Sequence, residues 1–431
     1  MKFTHTSFSM LKKISLTITP LMFTLASCFA QTETNKYFIH HTIADPLPGQ
    51  QEFGTGGFSL ADFDNDGDLD VTISRNADSG FVYWYENKTG HWQNHLLGRC
   101  DKMQLGAVSL DIDNDDNPDL VMGRFWFRNP GNLKKEPDTK WKKIFYAGGL
   151  ESENHDMATA DINMDGSIDV ISYSQEANNG VLRWYDVKNE MQWIPHTISD
   201  KVNELVKDIP GSNGIHGGFA PKGVADLSGD KLSDIVTPTG WYKNPGKNTD
   251  DTWAFHAWPF PTGVIPNPYG LSFRSWVTDL DADGDNDIIY TDCDGANSKG
   301  YWIENKGNAS FGKKELPALP DSTGSFHSLA VADFDRDGDL DIVSGEQEDP
   351  DPGMKPVGLK ERGFIWINVG TAHKPLFREP VIFQTDNPGW HEAQTGDVDG
   401  DGDMDIVSKI WNKDGVNYHV DYWENVMSKK K

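Results

Sequence analysis

Three histidines stand at one fixed offset in this chain. His155, His327 and His391 each lie six residues ahead of the first aspartate of a short acidic segment. Imidazole exchanges protons near neutral pH and is also a common zinc ligand. Cationic groups fall near the matching places of two other segments: Arg274 beside Phe273, and Lys222 close to Ala220 with His216 upstream. Five residues past each segment's last aspartate come Arg75, Arg124, Ser174, Thr239, Asp292, Glu346 and Ile410, the last flanked by Lys409 and Trp411. Imidazole, guanidinium and ammonium groups brought together suit an anionic ligand and proton transfer on it. His155, His216, His327 and His391 are therefore the candidate acid and base, with Arg274 and Lys222 to hold a carboxylate. Arg75, Arg124, Glu346, Lys409 and Trp411 are candidates for binding the ligand, and the phenols of Tyr173 and Tyr290 are weaker ones for acid–base work. The same imidazoles offer a second chemistry, a zinc held by three or four histidines with one position open. His41, His95, His196 and His256 recur at one place in a different strand and read as packing or solvated groups.

These residues keep register with a nine-residue acidic segment that recurs seven times, starting at Asp62, Asp111, Asp161, Asp226, Asp279, Asp333 and Asp397. Oxygen-bearing side chains sit at positions 1, 3, 5 and 9, and glycine at position 6. Alternating carboxylates around a sharp turn suit a hard cation with about six to eight oxygen ligands, of which calcium is the expected one. The candidate ligands are Asp62, Asp64, Asp66 and Asp70; Asp111, Asp113, Asp115 and Asp119; Asp161, Asn163, Asp165 and Asp169. Later segments add Asp279, Asp281, Asp283 and Asp287; Asp333, Asp335, Asp337 and Asp341; Asp397, Asp399, Asp401 and Asp405. The second segment has Asp116 in the glycine place, which aspartate tolerates. The fourth has Ser228 at position 3 and Lys231 at position 6, and is not expected to hold a metal.

Apolar alternation flanks each segment, as in Leu329 and Val331 before Asp333 and Ile342 and Val343 after Asp341, so each is a hairpin loop between strands. A third strand follows with an aromatic signature: Trp84-Tyr85-Glu86-Asn87, Trp184-Tyr185, Trp241-Tyr242-Lys243-Asn244, Trp302-Ile303-Glu304-Asn305, Trp366-Ile367-Asn368 and Trp423-Glu424-Asn425. A fourth strand comes next, at Trp92 to Leu97, Trp141 to Tyr146, Trp193 to Ile198 and Trp253 to Trp258. Four strands at a period near 50 residues make an all-β chain of seven four-stranded blades, a β-propeller. The last repeat lacks its fourth strand. Tyr37-Phe38-Ile39-His40-His41-Thr42-Ile43 resembles Trp193-Ile194-Pro195-His196-Thr197-Ile198 and supplies it, so the N-terminal strand closes the ring and leaves no free edge.

The spaced aspartates over residues 37 to 426 resemble the FG-GAP/VCBS repeats of propellers such as integrin heads. That resemblance implies calcium in the loops. It also implies that the first strand of each blade is innermost, so the histidine offset falls on the face opposite the metals, around the axial mouth. The layout of the whole chain is similar to seven-bladed polysaccharide lyases such as ulvan lyases and to the propeller part of aldos-2-ulose dehydratase. This implies a carbon–oxygen lyase: β-elimination from uronate-containing, sulfated oligosaccharides or polysaccharides such as ulvan. The alternative is a non-catalytic, surface-tethered propeller lipoprotein that binds glycan or protein. Insertions at Lys201 to Asn213, Pro259 to Tyr269 and Gln347 to Arg362 would wall a groove, and Trp276, Trp390 and Trp411 could stack on sugar rings.

Residues 1–30 read as an export signal: Lys12 and Lys13, an apolar run from Ile14 to Leu25, then small residues. Leu25-Ala26-Ser27-Cys28 resembles a lipobox, making Cys28 the lipidation site of an outer-membrane lipoprotein at the cell surface or in the periplasm. A cut after Ala30 would instead release a soluble protein. The propeller then spans 31–431. Of 66 acidic residues 31 lie in the seven loops, so the net charge of −27 reflects cation binding more than the partner. It does exclude nucleic acid as an electrostatic partner. The expected partner is an anionic carbohydrate, the chain a monomer, and membrane contact limited to the lipid anchor. Cys100 and Cys293 fall in distant repeats and are expected to stay unpaired.

Overall fold

The computed structural model describes residues 36–48, 54–77, 79–101, 104–148, 150, 153–175, 179–247, 251–261, 269–348, 355–386, 389–411 and 418–427. The export signal and Cys28 lie outside the described residues, as do most of the second and part of the third insertion. Seven sheets follow one another along the chain, and the strands within each blade pair antiparallel. Blade 1 consists of Thr55–Ala61, Asp70–Arg75, Gly80–Lys88 and His91–Cys100. Every residue of the second strand Asp70–Arg75 is buried, as is every residue of its counterparts Asp169–Ser174, Asp287–Asp292 and Asp341–Glu346. These strands lie between flanking blades, which is why they read as apolar runs with small polar residues between. Outer strands such as Gln192–Ser199 alternate exposed and half-buried positions instead.

Blade 7 is Glu392–Gly396, Asp405–Lys409 and Val420–Asn425, completed by the N-terminal strand Phe38–Ala44 in the register Phe38↔Asn425 and His41↔Tyr422. Phe38 is fully buried against Phe334 and Phe383, so the closing strand carries core as well as ladder bonds. His40 adds an ionic contact: its Nε2 lies 2.8 Å from Asp421, whose other oxygen is 2.7 Å from Nδ1 of buried His419. The outer-strand histidines pack on third-strand aromatics, His95 on Trp84, His196 on Trp184, His256 on Trp241 and His41 on Tyr422.

The acidic loops are built alike. In loop 1 the two oxygens of Asp62 accept from the N–H groups of Asp66 and Gly67, at 3.0 Å each. The buried last aspartate, Asp70, accepts from Phe63 N–H at 3.1 Å and from Asn87 N–H at 2.8 Å, tying loop to third strand. The asparagine of the aromatic signature then laces the blades together. Nδ2 of Asn87, Asn129, Asn244, Asn305 and Asn425 donates to the carbonyls of Val398, Phe63, Ile162, Leu227 and Phe334, each in the preceding blade's loop, at 2.8–3.0 Å.

Blade 4 breaks the repeat. Its innermost strand keeps only Val224–Ala225. The chain before it, Ile215–Gly217 and Pro221–Lys222, instead pairs in parallel with the innermost strand of blade 5, Leu271–Thr278. Asp156 of blade 3 explains the detour: one of its oxygens accepts from N–H of Gly218, Phe219 and Ala220 at 2.7, 3.0 and 3.1 Å. Backbone donors taken by a carboxylate are lost to a ladder, and Pro221 has none to give.

Two outcomes test this account. Asn425→Ala leaves the buried carbonyl of Phe334 without its donor and should cost about 1–3 kcal/mol in denaturant unfolding. Val187→Ala, at the one blade interface where valine replaces asparagine, loses no such bond and gives the baseline. The second concerns His419. Burial, the largest single influence, opposes its charge, but the bond to Asp421 together with the charges of Asp421, Glu348 and Asp45 outweighs it and raises its pKa above the ordinary value. A raised folded pKa contributes stability that is fully present below the unfolded value near 6.5 and lost as pH rises through the folded value. His419→Gln should therefore lower the melting temperature more at pH 5.5 than at pH 8.5; an equal loss at both would remove the ionic role.

Candidate functional site at the axial mouth

His155 lies in the innermost strand of blade 3 (Asn154–Ala160), at its mouth end, and Asp161 follows that strand into the loop. Six residues at roughly 3.3 Å each put about 20 Å between imidazole and loop. The strand carries a bulge between Asn154 and Asp156, and blade 6 (Phe326–Ala332) has one between Phe326 and Ser328. A bulge re-aims the residue it contains, and here those residues are His155 and His327.

His155 and His391 line a cavity of about 280 Å³ together with Lys222, Arg274, Trp276, Glu392 and Lys409, its wall completed by innermost-strand residues such as Ser59, Ser109 and Thr159. Among its lining residues three basic side chains, Lys222, Arg274 and Lys409, face one carboxylate, in a chain of net charge −27. The four histidines gather as two pairs, His155 tilted against His216 at 4.2 Å between ring centroids and His327 stacked on His391 at 4.0 Å. His391 also stacks on Trp411, at 5.2 Å. One carboxylate joins the pairs: Asp294 lies 3.3 Å from His327 Nε2 and 3.9 Å from His216 Nε2.

The His155 ring is oriented by Asp156, whose Oδ1 lies 2.7 Å from Nδ1. Burial would raise the Asp156 pKa, but the bond and charge of His155, Arg274 and the three backbone donors pull it well below the carboxylate range. An ionised Asp156 keeps the proton on Nδ1 and leaves Nε2 as the basic atom. Gly217 makes the approach possible, since a Cβ there would meet His155 Nδ1 at 2.8 Å and Asp156 Oδ1 at 2.9 Å. Burial, reinforced by His155, lowers His216 to about 3, and burial, with His327 and Lys409, lowers His391 well below its ordinary value, so both are neutral near pH 7. Lys409 is also lowered by burial. Its Nζ lies 3.1 Å from Thr55 Oγ1, 3.4 Å from Glu392 and 3.4 Å from His391 Nδ1. Buried Arg274 reaches Glu392 at 3.7 Å, and among the described residues its Nε has no hydrogen-bond partner. Exposed Lys222 places Nζ 5.0 Å from the Trp276 ring.

Three residues expected at the rim are engaged elsewhere. Arg75 is buried over the Tyr418 ring and donates to the Leu47 carbonyl. Arg124 pairs with Asp101. Glu346 is fully buried in a two-bonded pair with Arg362 and also accepts from Gly324 N–H. They do not pair with one another, and none lines the cavity. Side chains alternate along a strand, and the residue five past the last aspartate lies on the face opposite the residue four past it, the place from which Lys409 lines the cavity. Tyr173 and Tyr290 are buried, their pKa values raised by burial. Trp390 is a core residue stacked on Trp423. The first insertion buries Val202 and Val206, and Asn203 accepts from Ile215 N–H at 2.8 Å, so it braces the strand of His216. Asp156, Asp294 and Glu392 were not anticipated. Adjacency to His155 was the only signal for Asp156.

On the loop side, carboxylate oxygens of Asp62, Asp64 and Asp66, of Asp111, Asp113 and Asp115, of Asp279, Asp281 and Asp283, and of Asp333, Asp335 and Asp341 approach within 4.8 Å of one another. Burial, then the charges of Asp66 and Glu86, raises Asp64 to about 6, the mark of a carboxylate set short of positive charge. Cations reach several of the loops: Lys188 Nζ lies 2.6 Å from Asp165 in loop 3, and Arg336 Nη2 lies 3.1 Å from Asp401 in loop 7. Lys243 Nζ lies 2.7 Å from both Ser228 Oγ and Asp230 in loop 4, and Arg128 bonds Asp113 in loop 2. The matching third-strand residue is acidic in blades 1, 3, 5 and 7, as Glu86, Asp186, Glu304 and Glu424.

Fold and site together define a seven-bladed propeller with carboxylate-rich loops on one side and a basic, imidazole-lined mouth on the other. The model of the FG-GAP-like repeat matches residues 62–122 and 279–344, so the chain carries such repeats there. No curated protein matches it. Similar solved structures include the exotype rhamnogalacturonan lyase YesX, 12% identical with a TM-score of 0.47 over 90% of this chain and 76% of that one. BBS1N in its complex with ARL6DN is 8% identical, TM-score 0.48, over 89% and 97%. A Tc holotoxin pore of Photorhabdus luminescens is 16% identical, TM-score 0.36, over 82% of this chain but only 17% of that one.

Proposed function

We propose that the mouth is the active site of a carbon–oxygen lyase that performs β-elimination on uronate-containing oligosaccharides. The observation that carries this reading is the juxtaposition of an Asp156-oriented imidazole with a buried, underused guanidinium in one cationic cavity. Arg274, seconded by Lys222, takes the uronate carboxylate and stabilises the negative charge that develops on it, the largest demand of the reaction. His155 Nε2 removes the C5 proton. The electron pair of that C–H bond becomes the C4=C5 double bond as the C4–O bond breaks. The departing oxygen takes a proton from the Lys409–His391 pair and leaves as a sugar hydroxyl or as water. No oxidant or reductant enters. Trp276 and Trp411 offer faces to the sugar rings.

We further infer that the acidic loops hold calcium as a structural ion. The export signal supports this, because outside the cytoplasm even weak calcium sites fill. The lipid anchor on Cys28 and an anionic carbohydrate partner belong to the same proposal.

Purified protein mixed with uronate oligosaccharides should generate absorbance at the unsaturated-uronate band. His155→Ala and Arg274→Ala should each lower kcat/KM by about 10²–10⁴, with the melting temperature little changed. Saturable binding of the sugar without any absorbance, unaltered by His155→Ala, would instead make this a binding protein. For the loops, Asp281→Asn should lower the bound-calcium stoichiometry by one, whereas Lys243→Ala should leave it unchanged or raise it.

A further inference from the structure

Beside the cavity, three donors of mixed type converge. Cys293 and Asp294 directly follow the second strand of blade 5 (Asp287–Asp292), and His327 sits in the innermost strand of blade 6. Cys293 Sγ, an Asp294 oxygen and a His327 ring nitrogen all lie within 4.8 Å of one another, and the three residues are 1%, 4% and 1% exposed.

The hydrogen bonds leave this set short of a positive charge. His327 Nδ1 is 2.6 Å from the carbonyl oxygen of His391. A carbonyl only accepts, so Nδ1 carries the proton. Nε2 of a neutral ring is then a lone pair, and it faces an Asp294 oxygen at 3.3 Å. Two acceptors in contact inside a protein repel unless a proton or a metal ion lies between them. The other Asp294 oxygen is buried with no hydrogen-bond partner among the described residues, and His216 Nε2 stands 3.9 Å from it. A metal-bound histidine that donates its second N–H to a backbone carbonyl is the arrangement that fixes ring and tautomer for coordination.

We infer that Cys293, Asp294 and His327, with His216 as fourth donor, form a site for one transition-metal ion of the zinc type. A thiolate and an imidazole beside a single carboxylate suit a borderline-soft ion, not calcium. The ligand set differs from an all-imidazole one: His155 faces Asp156, and His391 faces Lys409. The ion would clamp blades 4, 5 and 6 at the mouth and hold His327 under His391. The site stands independently of the lyase reading, since none of its four donors has a role in the elimination.

The test is metal occupancy, read without substrate. The full chain, purified and dialysed against a calcium-selective chelator, should retain one zinc per chain by elemental analysis. Stripping with a strong chelator and loading with cobalt(II) should produce a thiolate-to-cobalt charge-transfer band in the near ultraviolet. Cys293→Ser should abolish that band and weaken metal retention by about 10–100-fold, the range seen when a metal's supporting contacts are removed. Cys100→Ser should leave it intact. If Cys293→Ser fails to fold, X-ray absorption on the zinc-loaded wild type decides: one sulfur at about 2.3 Å supports the site. A shell of nitrogen and oxygen alone, or a folded wild type that neither retains zinc nor develops the cobalt band, overturns it and leaves His327 as an imidazolium paired with Asp294.

Discussion

The structure depends on carboxylates that accept hydrogen bonds from backbone. Each acidic loop turns on an aspartate pair, one at its start gripping the turn, one buried at its end gripping the third strand, as Asp62 and Asp70 do. The third strand then delivers an asparagine into the preceding loop, so the motif that makes a hairpin also fixes the distance between blades. A propeller assembled this way has no need of disulfides, and Cys100 and Cys293 are free and buried.

The mouth arises where the same interaction is turned to another use. Asp156 grips three backbone N–H groups ahead of blade 4 and diverts that segment onto blade 5. The diversion carries His216 against His155 and Lys222 against Trp276. Local departure from the repeat thus builds the site: two bulges re-aim histidines, and one carboxylate both breaks a ladder and orients a ring. Symmetric blades would have given a symmetric, featureless channel.

Much of this was legible in the sequence because it is periodic. Seven aspartate segments, the aromatic third strands and the N-terminal strand that completes blade 7 follow from spacing alone. Ser228 and Lys231 set loop 4 apart in the sequence, and the structure adds the Lys243 ammonium on Ser228 and Asp230, a residue read only as part of an aromatic signature. The equal offsets of His155, His327 and His391 correctly predicted that they share one end of the axis. Arg75, Arg124 and Glu346 fell out because the pleat turns the residue five past the last aspartate to the face opposite Lys409, four past, which lines the cavity. Asp156, Asp294 and Glu392 were harder to read for a different reason: each acts through a partner in another blade, and the only local mark is adjacency to a histidine, of Asp156 to His155 and of Glu392 to His391.

The central claim is that the cationic mouth, and not the loop face or the rim, receives a uronate. A crystal structure of the His155→Ala variant soaked with a uronate oligosaccharide tests it most directly. The account predicts the sugar in the axial cavity, its carboxylate on Arg274 and its C5 hydrogen directed at the vacated imidazole. A sugar bound among the acidic loops or on the outer strands, with Arg274 still turned to Glu392, would contradict it.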